Sequence, residues 1–465
     1  MKKIVVLLFS FILFYAHNAQ SQNTDSLQIA KLFSTALKDN GGYNALYDLC
    51  KNSGKRISGS ALADTAVIHM AKWLTNWGAD TVWLQPCMVP HWVRGIPEQA
   101  KIISSALKAG EMNVPVCALG GSIATPSDGL SGNIIEVNGL GELKNISPEK
   151  IKGKIVFYNG PMDATKLFTF QAYGPAVAQR WGGAMEAAKY GAIGIVIRSV
   201  ASHIDKYPHT GSMGYQDTIP KIPACAISTE AANQLHDALQ LDKNTKFWFK
   251  QSSETLPDVP SHNVIAEIRG SKYPNEVIVV GGHLDAWDMA EGAHDDGAGV
   301  VHSMEVIRLF KTLGIKPEHT IRVVLFMNEE NGTRGAKAYA EWAKHNGEKC
   351  FAAIESDAGG FTPRGFSMDC DSTIRKFIQK KFQPILTPFG IYDFARNGSG
   401  ADIGHLEDIC PLLAELSPDS QRYFDHHHSG LDVFENVNDR ELELGAAAVA
   451  AFIFLIDKYG NGATK

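Results

Sequence analysis

With 465 residues, the chain exceeds one domain of about 100–200 residues, so two domains or one large domain with an insertion are expected. Its 45% hydrophobic and 20% charged residues exclude a disordered chain. The formal net charge of -6 leaves no basic excess for binding nucleic acid or an anionic membrane surface.

The first 21 residues have the three parts of a signal peptide. Lys2 and Lys3 are positively charged, residues 4–15 are predominantly apolar, and residues 19–21 place small side chains where a signal peptidase cleaves. The apolar run is shorter than the about 20 residues that span a bilayer, which favours cleavage over a membrane anchor. We expect an exported protein, periplasmic or extracellular, without a stable membrane anchor.

The seven cysteines give no sign of a structural zinc ribbon, because no two of them have C-x-x-C spacing. Export permits disulfides, but an odd number leaves at least one thiol free. The spacing does not define which cysteines pair.

Residues 125–255 read as a small α/β unit. Strands are predicted at residues 133–137, 154–158 and 193–197. A helix-like stretch at 184–190 separates the last two strands. The glycine-rich segment 120–129 marks the entry to this unit, and the proline-containing segment 254–260 is predicted to be its exit linker.

From residue 261 onward, strands and helices alternate. Buried strands are predicted at residues 277–280, 321–327 and 351–354. Apolar residues at helical spacing predict helices at 296–313 and 335–345. This alternation predicts a mostly parallel sheet that helices cover on both faces.

Polar clusters follow these predicted strands. They contain His283 and Asp285, Asp295, Glu329 and Glu330, and Asp357. Ligands of parallel sheets bind beyond the carboxyl ends of the strands, so these side chains are expected to meet at one edge. Imidazole and carboxylate are the ligands that catalytic zinc prefers, and a carboxylate can join two zinc ions.

Each cluster has a simpler interpretation by itself. Glu329 and Glu330 could form a solvated strand end, Asp296 could cap the following helix, and the histidines at 426–428 could be surface residues. The order and spacing of the clusters together favour a metal site.

The motifs H-x-D, G-A-x-D-D-G-x-G, E-E, E-S-D-A-G and H-S-x-x-D resemble the two-zinc exopeptidase family of aminopeptidases and glutamate carboxypeptidases. The likeness is greatest to the glutamate carboxypeptidases and extends over most of the mature chain. It implies an α/β fold with a mostly parallel or mixed sheet between helices, and an inserted protease-associated α/β domain. The implied divisions are a signal peptide at 1–21, a peptidase domain at 22–124 and 256–465, and the insert at 125–255.

The resemblance also implies roles for individual residues and two zinc ions per chain. Asp295 bridges the metals, His283 and Asp357 complete one site, and Glu330 and His428 complete the other. Glu329 is the general base and Asp285 is the hydrogen-bond partner behind His283. His428 is preferred because it alone begins H-S-x-x-D, and His427 is the second choice.

Additional residues near the motifs are less clearly assigned. His294 stands where the family pattern has a neutral residue. It could be an additional group behind the metal ligands, but we expect it to face solvent from its loop. Tyr392 and the loop at 397–400 are candidates for stabilising the oxyanion.

The implied activity is exopeptidase cleavage of dipeptides or short peptides, with a water held by the zinc ions as nucleophile. The resemblance favours carboxypeptidase action over aminopeptidase action on the same core. A glutaminyl cyclase with one zinc ion and a non-catalytic binding protein of the same fold are less favoured functions. The expected partners are a peptide substrate and a second copy of the chain in a homodimer. The motif H-E-x-x-H of many zinc endopeptidases is absent from the sequence.

Overall fold

The computed structural model describes residues 24–462, so the predicted signal peptide at 1–21 lies outside the described residues. Between residues 24 and 462, no helix combines the length and the apolar character needed to cross a bilayer. The helices are α1 24–39, α2 Gly41–Ser53, α3 Ala61–Asn76, α4 Leu140–Leu143, α5 Pro148–Ile151, α6 Thr169–Lys189, α7 Thr229–Leu241, α8 Ala298–Thr312, α9 Arg334–His345, α10 Ser372–Lys381, α11 Gln383–Leu386, α12 Tyr423–His426 and α13 Asp439–Tyr459.

The strands divide between two sheets. They are β1 Thr81–Val93, β2 Gln99–Ile103, β3 Glu111–Asn113, β4 Val116–Ala118, β5 Leu130–Val137, β6 Ile155–Tyr158, β7 Gly194–Arg198, β8 Ala224–Ile227, β9 Lys246–Lys250, β10 Glu254–Ile268, β11 Tyr273–His283, β12 His319–Phe326, β13 Lys349–Glu355, β14 Pro363–Cys370 and β15 Leu412–Pro418.

The first sheet has the strand order β1-β10-β12-β11-β13-β15-β14. Its centre, from β12 through β11 and β13 to β15, is parallel, whereas β1, β10 and β14 run antiparallel to their neighbours. Helices α2, α3, α8 and α13 pack on one face, and α9 packs on the other. The central strands are buried on both faces, which explains their continuous apolar runs. The predicted mixed α/β fold is confirmed.

The second sheet has the order β3-β2-β9-β5-β6-β7-β8-β4. Strands β5 to β8 are parallel neighbours, and α6 and α7 cover them. Because this sheet also contains β2, β3 and β4, it draws on residues 99–250, a range that begins before the predicted insert at 125–255. The division of the chain into domains stays a prediction.

The prediction that residues 254–260 form a linker is wrong, because they belong to strand β10 and pair with β1. Only Val264–Ile268 of β10 also pairs with β12, so the proline-containing half of the strand has one free edge. Proline is tolerated there because no neighbour requires its missing N–H. Pro257 lies opposite an irregularity of the pairing between Val89 and His91.

Candidate metal centre

The predicted strand-end residues lie at the same edge of the first sheet. His283 is the last residue of β11 and pairs with Phe326, the last residue of β12. Glu330 follows β12 and Asp357 follows β13, whose last residue Glu355 pairs with β11 as well. Parallel pairing therefore brings side chains from distant parts of the sequence to one place.

Asp295, on the loop between β11 and α8, lies between two groups of side chains. Its Oδ1 is 3.2 Å from Nε2 of His283, which is itself 3.5 Å from Oδ1 of Asp357. Its Oδ2 is 3.2 Å from Nε2 of His428, which is 3.1 Å from Oε2 of Glu330. The two oxygens of one carboxylate thus face two different His–carboxylate pairs.

The three consecutive histidines have different surroundings. His428 is within 3.2 Å of two carboxylates, whereas Nε2 of His427 is 3.7 Å from Asp295. The two rings stack with centroids 3.5 Å apart. His426 is half-buried, and its Nδ1 donates to the carbonyl of Leu431. These distances favour His428 over its neighbours as a ligand.

Hydrogen bonds orient the two histidines. Nδ1 of His283 donates to the backbone carbonyl of Asp285 at 3.0 Å, and Nδ1 of His428 lies 3.3 Å from the carbonyl of Thr210. A carbonyl oxygen only accepts, so Nδ1 of His283 carries the proton, and Nε2 of both histidines faces the carboxylates. Both histidines are therefore arranged to offer Nε2 to a metal ion.

The carboxylate of Asp285 does not form the expected hydrogen bond to His283. It is 3.8 Å from Nδ1 of His283, but its Oδ1 accepts the backbone N–H groups of Asn328 at 2.7 Å and Glu329 at 3.0 Å. Asp285 thus orients His283 through its backbone carbonyl and fixes the turn that carries Glu329 and Glu330 through its side chain.

The buried carboxylates of this cluster indicate that it binds a cation. Oδ2 of Asp295, Oε1 of Glu330 and Oδ1 of Asp357 are buried and have no hydrogen-bond partner within residues 24–462. Buried carboxylates need compensation by opposite charge or by donors. Nitrogen and oxygen donors of this kind are those that zinc prefers.

The buried acids influence one another. Burial and the nearby charges of Asp357 and Glu330 raise the pKa of Glu329 well above its usual range. Burial and the charge of Asp295 raise the pKa of Glu330 to about 7. Burial opposes ionisation of Asp295 too, but the adjacent His283 and His428 hold its pKa well below the usual value. Asp295 is therefore the carboxylate that stays ionised most readily.

A cleft of about 600 Å³ opens over the cluster. The part of the chain built on the first sheet contributes lining residues that include Glu329, Asp357, Tyr423 and His428. The part built on the second sheet and its helices, the second unit, contributes others, among them Tyr173, Arg180, Trp181 and Ser212. The predicted candidate Tyr392 is half exposed and is not part of this lining. No sequence motif indicated the residues that the second unit contributes.

The prediction that His294 faces solvent is wrong. Its ring is buried and stacks on Phe361 with centroids 4.4 Å apart. Its backbone N–H donates to Asp432 at 2.6 Å, and its Nδ1 accepts from Gly360. Burial lowers the pKa of His294 to about 3, so the ring is neutral and can accept that hydrogen bond.

Comparison with known proteins gives the family. The sequence profile of peptidase family M28 matches residues 263–453. Carboxypeptidase Q of Xenopus laevis is 39% identical over 393 residues, which cover 84% of this chain and 80% of the relative. Human carboxypeptidase Q is 36% identical over 417 residues, covering 90% of this chain and 85% of the relative. The chain belongs to peptidase family M28.

Solved structures agree with this assignment. A peptidase M28 precursor from Shewanella amazonensis SB2B superposes with a TM-score of 0.88 at 33% identity and covers 94% of this chain and 97% of its own. A zinc aminopeptidase of Bacillus subtilis superposes with a TM-score of 0.63 at 18% identity, covering 89% and 94%. The second likeness shows the fold alone. The predicted peptidase family is confirmed, and all predicted ligand positions fall inside the matched segment.

Proposed function

We propose that this M28 peptidase is an exported exopeptidase that binds two zinc ions and releases one terminal residue from dipeptides or short peptides. The observation that carries the proposal is the position of Asp295, whose two oxygens face His283 and His428 at 3.2 Å each. A carboxylate placed between two His–carboxylate pairs suits two metal ions about 3.5–4 Å apart.

In this proposal, Asp295 would hold both metal ions, and each His–carboxylate pair would complete one site. His283 and Asp357 would hold the first ion, and Glu330 and His428 would hold the second. Asp295, Glu330 and Asp357 each have a buried carboxylate oxygen without a hydrogen-bond partner within residues 24–462, which supports the assignment. The name of the Bacillus subtilis neighbour supports zinc as the metal.

When bound, zinc polarises the peptide carbonyl and lowers the pKa of water. Glu329 lines the cleft and has no role as a ligand in the proposal, so it is free to move protons. It accepts a proton from the attacking water and passes it to the nitrogen of the breaking C–N bond. Two backbone N–H groups, those of Asn328 and Glu329 itself, anchor this turn to Asp285.

The cleft supports short substrates. The second unit contacts two histidines of the candidate site directly. The backbone N–H of Thr210 donates to the carbonyl of His428 at 2.9 Å, and Nδ1 of His209 donates to the carbonyl of His427 at 2.6 Å. These contacts hold the second unit against the histidines beside the cleft, whose volume is about 600 Å³.

Carboxypeptidase action is the first choice, because the relatives that are 34–39% identical over most of the chain carry the name carboxypeptidase Q. Aminopeptidase action is the second choice, which the structural neighbours' names suggest. A homodimer and a periplasmic or extracellular location complete the proposal.

The test combines metal analysis with product analysis. We expect two zinc ions per chain, loss of hydrolysis with a chelator, and recovery with zinc. Free dipeptides should be cleaved, whereas a long peptide blocked at both ends should remain intact in mass spectrometry. Full activity of demonstrably metal-free enzyme would refute the proposal, and internal cleavage of the blocked peptide would refute its exopeptidase part. Sedimentation of the mature chain tests the homodimer.

A further inference from the structure

A side pocket of about 400 Å³ lies next to the cleft. Phe170, near the start of α6, lines both of them. Ala358, which also lines the side pocket, directly follows the candidate ligand Asp357 in the sequence. The side pocket therefore lies beside the candidate metal site, where a side chain of a peptide bound in the cleft can enter it.

Glu415 contributes a carboxylate without a partner to this side pocket. It lies on β15, paired with Glu355 of β13 and with Ser367 of β14. Its neighbours Ala414 and Leu416 belong to the apolar core, so the alternation of the strand turns Glu415 to the opposite face of the sheet. Within residues 24–462, its carboxylate forms no hydrogen bond and no ion pair at 4.0 Å or less.

Arg396, a cation that lines the side pocket, already has a counter-charge. Its Nε lies 2.9 Å from Oδ2 of Asp393. Burial and the charges of Asp357 and Glu355 raise the pKa of Glu415 well above its usual range, and the opposing effect of Arg396 is smaller. The electrostatic potential at Glu415 is therefore negative, which favours the entry of a cation.

Two hydroxyl groups lie on the same face as Glu415 and line the side pocket with it. Ser367 is directly opposite Glu415 in the strand pairing, and Ser417 is two residues further along β15. The hydroxyl oxygen of Ser417 accepts the backbone N–H of Ser367 at 3.1 Å. The patch therefore offers oxygen acceptors, which suit a cation that carries several N–H donors.

The second unit gives the side pocket apolar walls. The ring of Phe170 is held by Tyr423 and Phe424 at centroid distances of 5.2 and 4.9 Å. The ring of Phe168 lies beneath the guanidinium of Arg396, with 4.8 Å between Cζ and the ring centroid. Lysine and arginine side chains pack an apolar stem on such surfaces while their charged end binds a polar group.

We propose that the side pocket binds the side chain of a lysine or arginine residue of the substrate, and that Glu415 selects it. The inference rests on the proposed function and adds the class of peptide that the same site prefers. Glu415 is a specificity-determining residue in this proposal and takes no part in the chemical step.

The experiment compares dipeptides that differ only in one charge. Lys-Ala is compared with norleucine-Ala, and Ala-Lys with Ala-norleucine, because lysine and norleucine share a four-carbon stem and differ in the ammonium group. In the wild type, kcat/KM should be about tenfold higher for the lysine dipeptide of at least one pair, since a hydrogen bond to a charged group is gained. The pair that shows the difference identifies the substrate residue that enters the side pocket.

Variants of Glu415 test whether this residue makes the selection. Glu415→Gln should lower kcat/KM for the preferred lysine dipeptide by about tenfold, mainly through KM, and for its norleucine counterpart by less than about threefold. Glu415→Lys should reverse the preference, so that a dipeptide with glutamate at that position is cleaved better than the one with lysine. Glu407→Gln, an exposed acid outside the pocket lining, is the control and should match the wild type.

Zinc content and cleavage of the norleucine dipeptide show that each variant is folded and loaded. Equal kcat/KM of the wild type on the lysine and norleucine dipeptides of both pairs would overturn the inference and leave the zinc peptidase standing. Equal losses of Glu415→Gln on lysine and norleucine, or loss of its zinc, would overturn it too, because Glu415 would then support the neighbouring metal site. A wild type that contains zinc and cleaves none of the dipeptides would remove the proposed function itself.

Discussion

The carboxylate of Asp432 accepts the backbone N–H of Asp295 at 3.2 Å and that of His294 at 2.6 Å. Asp432 is the last residue of the H-S-x-x-D motif that begins at His428, and Asp295 lies between the two His–carboxylate pairs. One motif therefore supplies a candidate ligand and also fixes the backbone of the candidate bridging residue. The short turn between His428 and Asp432 couples the geometry of the two.

Asp432→Asn should weaken zinc binding without removing any ligand. The amide keeps one acceptor oxygen but turns an NH₂ group toward one of the two backbone N–H donors. Loss of such a supporting contact typically costs about 10–100-fold in metal affinity. Competition with a chelator of known affinity measures the change. Asp439→Asn, an exposed residue in the first turn of α13, is the control, and equal affinities of the two variants would contradict the coupling.

Glu329→Gln should keep the bound metal and lose the chemical step. Removal of a general base lowers the rate by about 10²–10⁴-fold. Glu330→Gln should instead lose metal, because Glu330 lies 3.1 Å from His428 and has an orphaned buried oxygen. Zinc analysis by atomic emission and single-turnover rates separate the two effects. Metal loss from Glu329→Gln with retention in Glu330→Gln would exchange the two assignments.

His428→Ala should remove zinc from one site, whereas His427→Ala should affect binding less. Only His428 places Nε2 within 3.2 Å of both Asp295 and Glu330. His427 lies 3.7 Å from Asp295 and stacks on the ring of His428, so its loss should loosen packing more than coordination. Zinc per chain in each variant is the measurement. Normal zinc content in His428→Ala together with depletion in His427→Ala would shift the ligand by one residue.

Much of the site could be predicted because short-range patterns encode it. The apolar runs of β11, β12 and β13 are continuous since these strands are buried on both faces, and polar residues follow each run directly. Parallel pairing then requires His283, Glu330 and Asp357 to approach each other. The residue types complete the prediction of a metal site.

The remaining features depend on contacts between distant segments. Arg180 reaches His428 across 248 positions of the sequence, and no periodicity in α6 indicates that contact. The sequence does not indicate the strand at 254–260, because proline normally interrupts a strand. Proline is tolerated there because β12 pairs only with the later part of β10, which leaves one edge of residues 254–260 without hydrogen bonds to β12. The burial of His294 is equally hidden, because nothing near it in the sequence indicates that Phe361 covers its ring.

A buried acid away from the cleft gives a prediction about stability. Glu443, on α13, is fully buried, and its Oε1 accepts the backbone N–H of Tyr43 at 3.0 Å. Its Oε2 has no partner within the described residues, and burial together with the charge of Glu305 raises the pKa of Glu443 to about 8. In the unfolded chain, the same carboxyl group has a pKa of about 4.3.

The wild type should therefore lose stability as pH rises from about 4.3 to about 8, because the folded state holds a proton that the unfolded state releases. Glu443→Gln keeps an acceptor for Tyr43 but cannot ionise, so it should escape this loss. We expect the melting temperature of the variant to exceed that of the wild type at pH 9, by roughly 2–4 °C or more, and the difference to shrink toward pH 5. Thermal unfolding followed by circular dichroism at pH 5, 7 and 9 tests the trend. Glu341→Gln, an exposed change on α9, serves as the control and should show no such dependence. A difference between Glu443→Gln and the wild type that stays constant across this range would show that Glu443 is ionised in the folded protein.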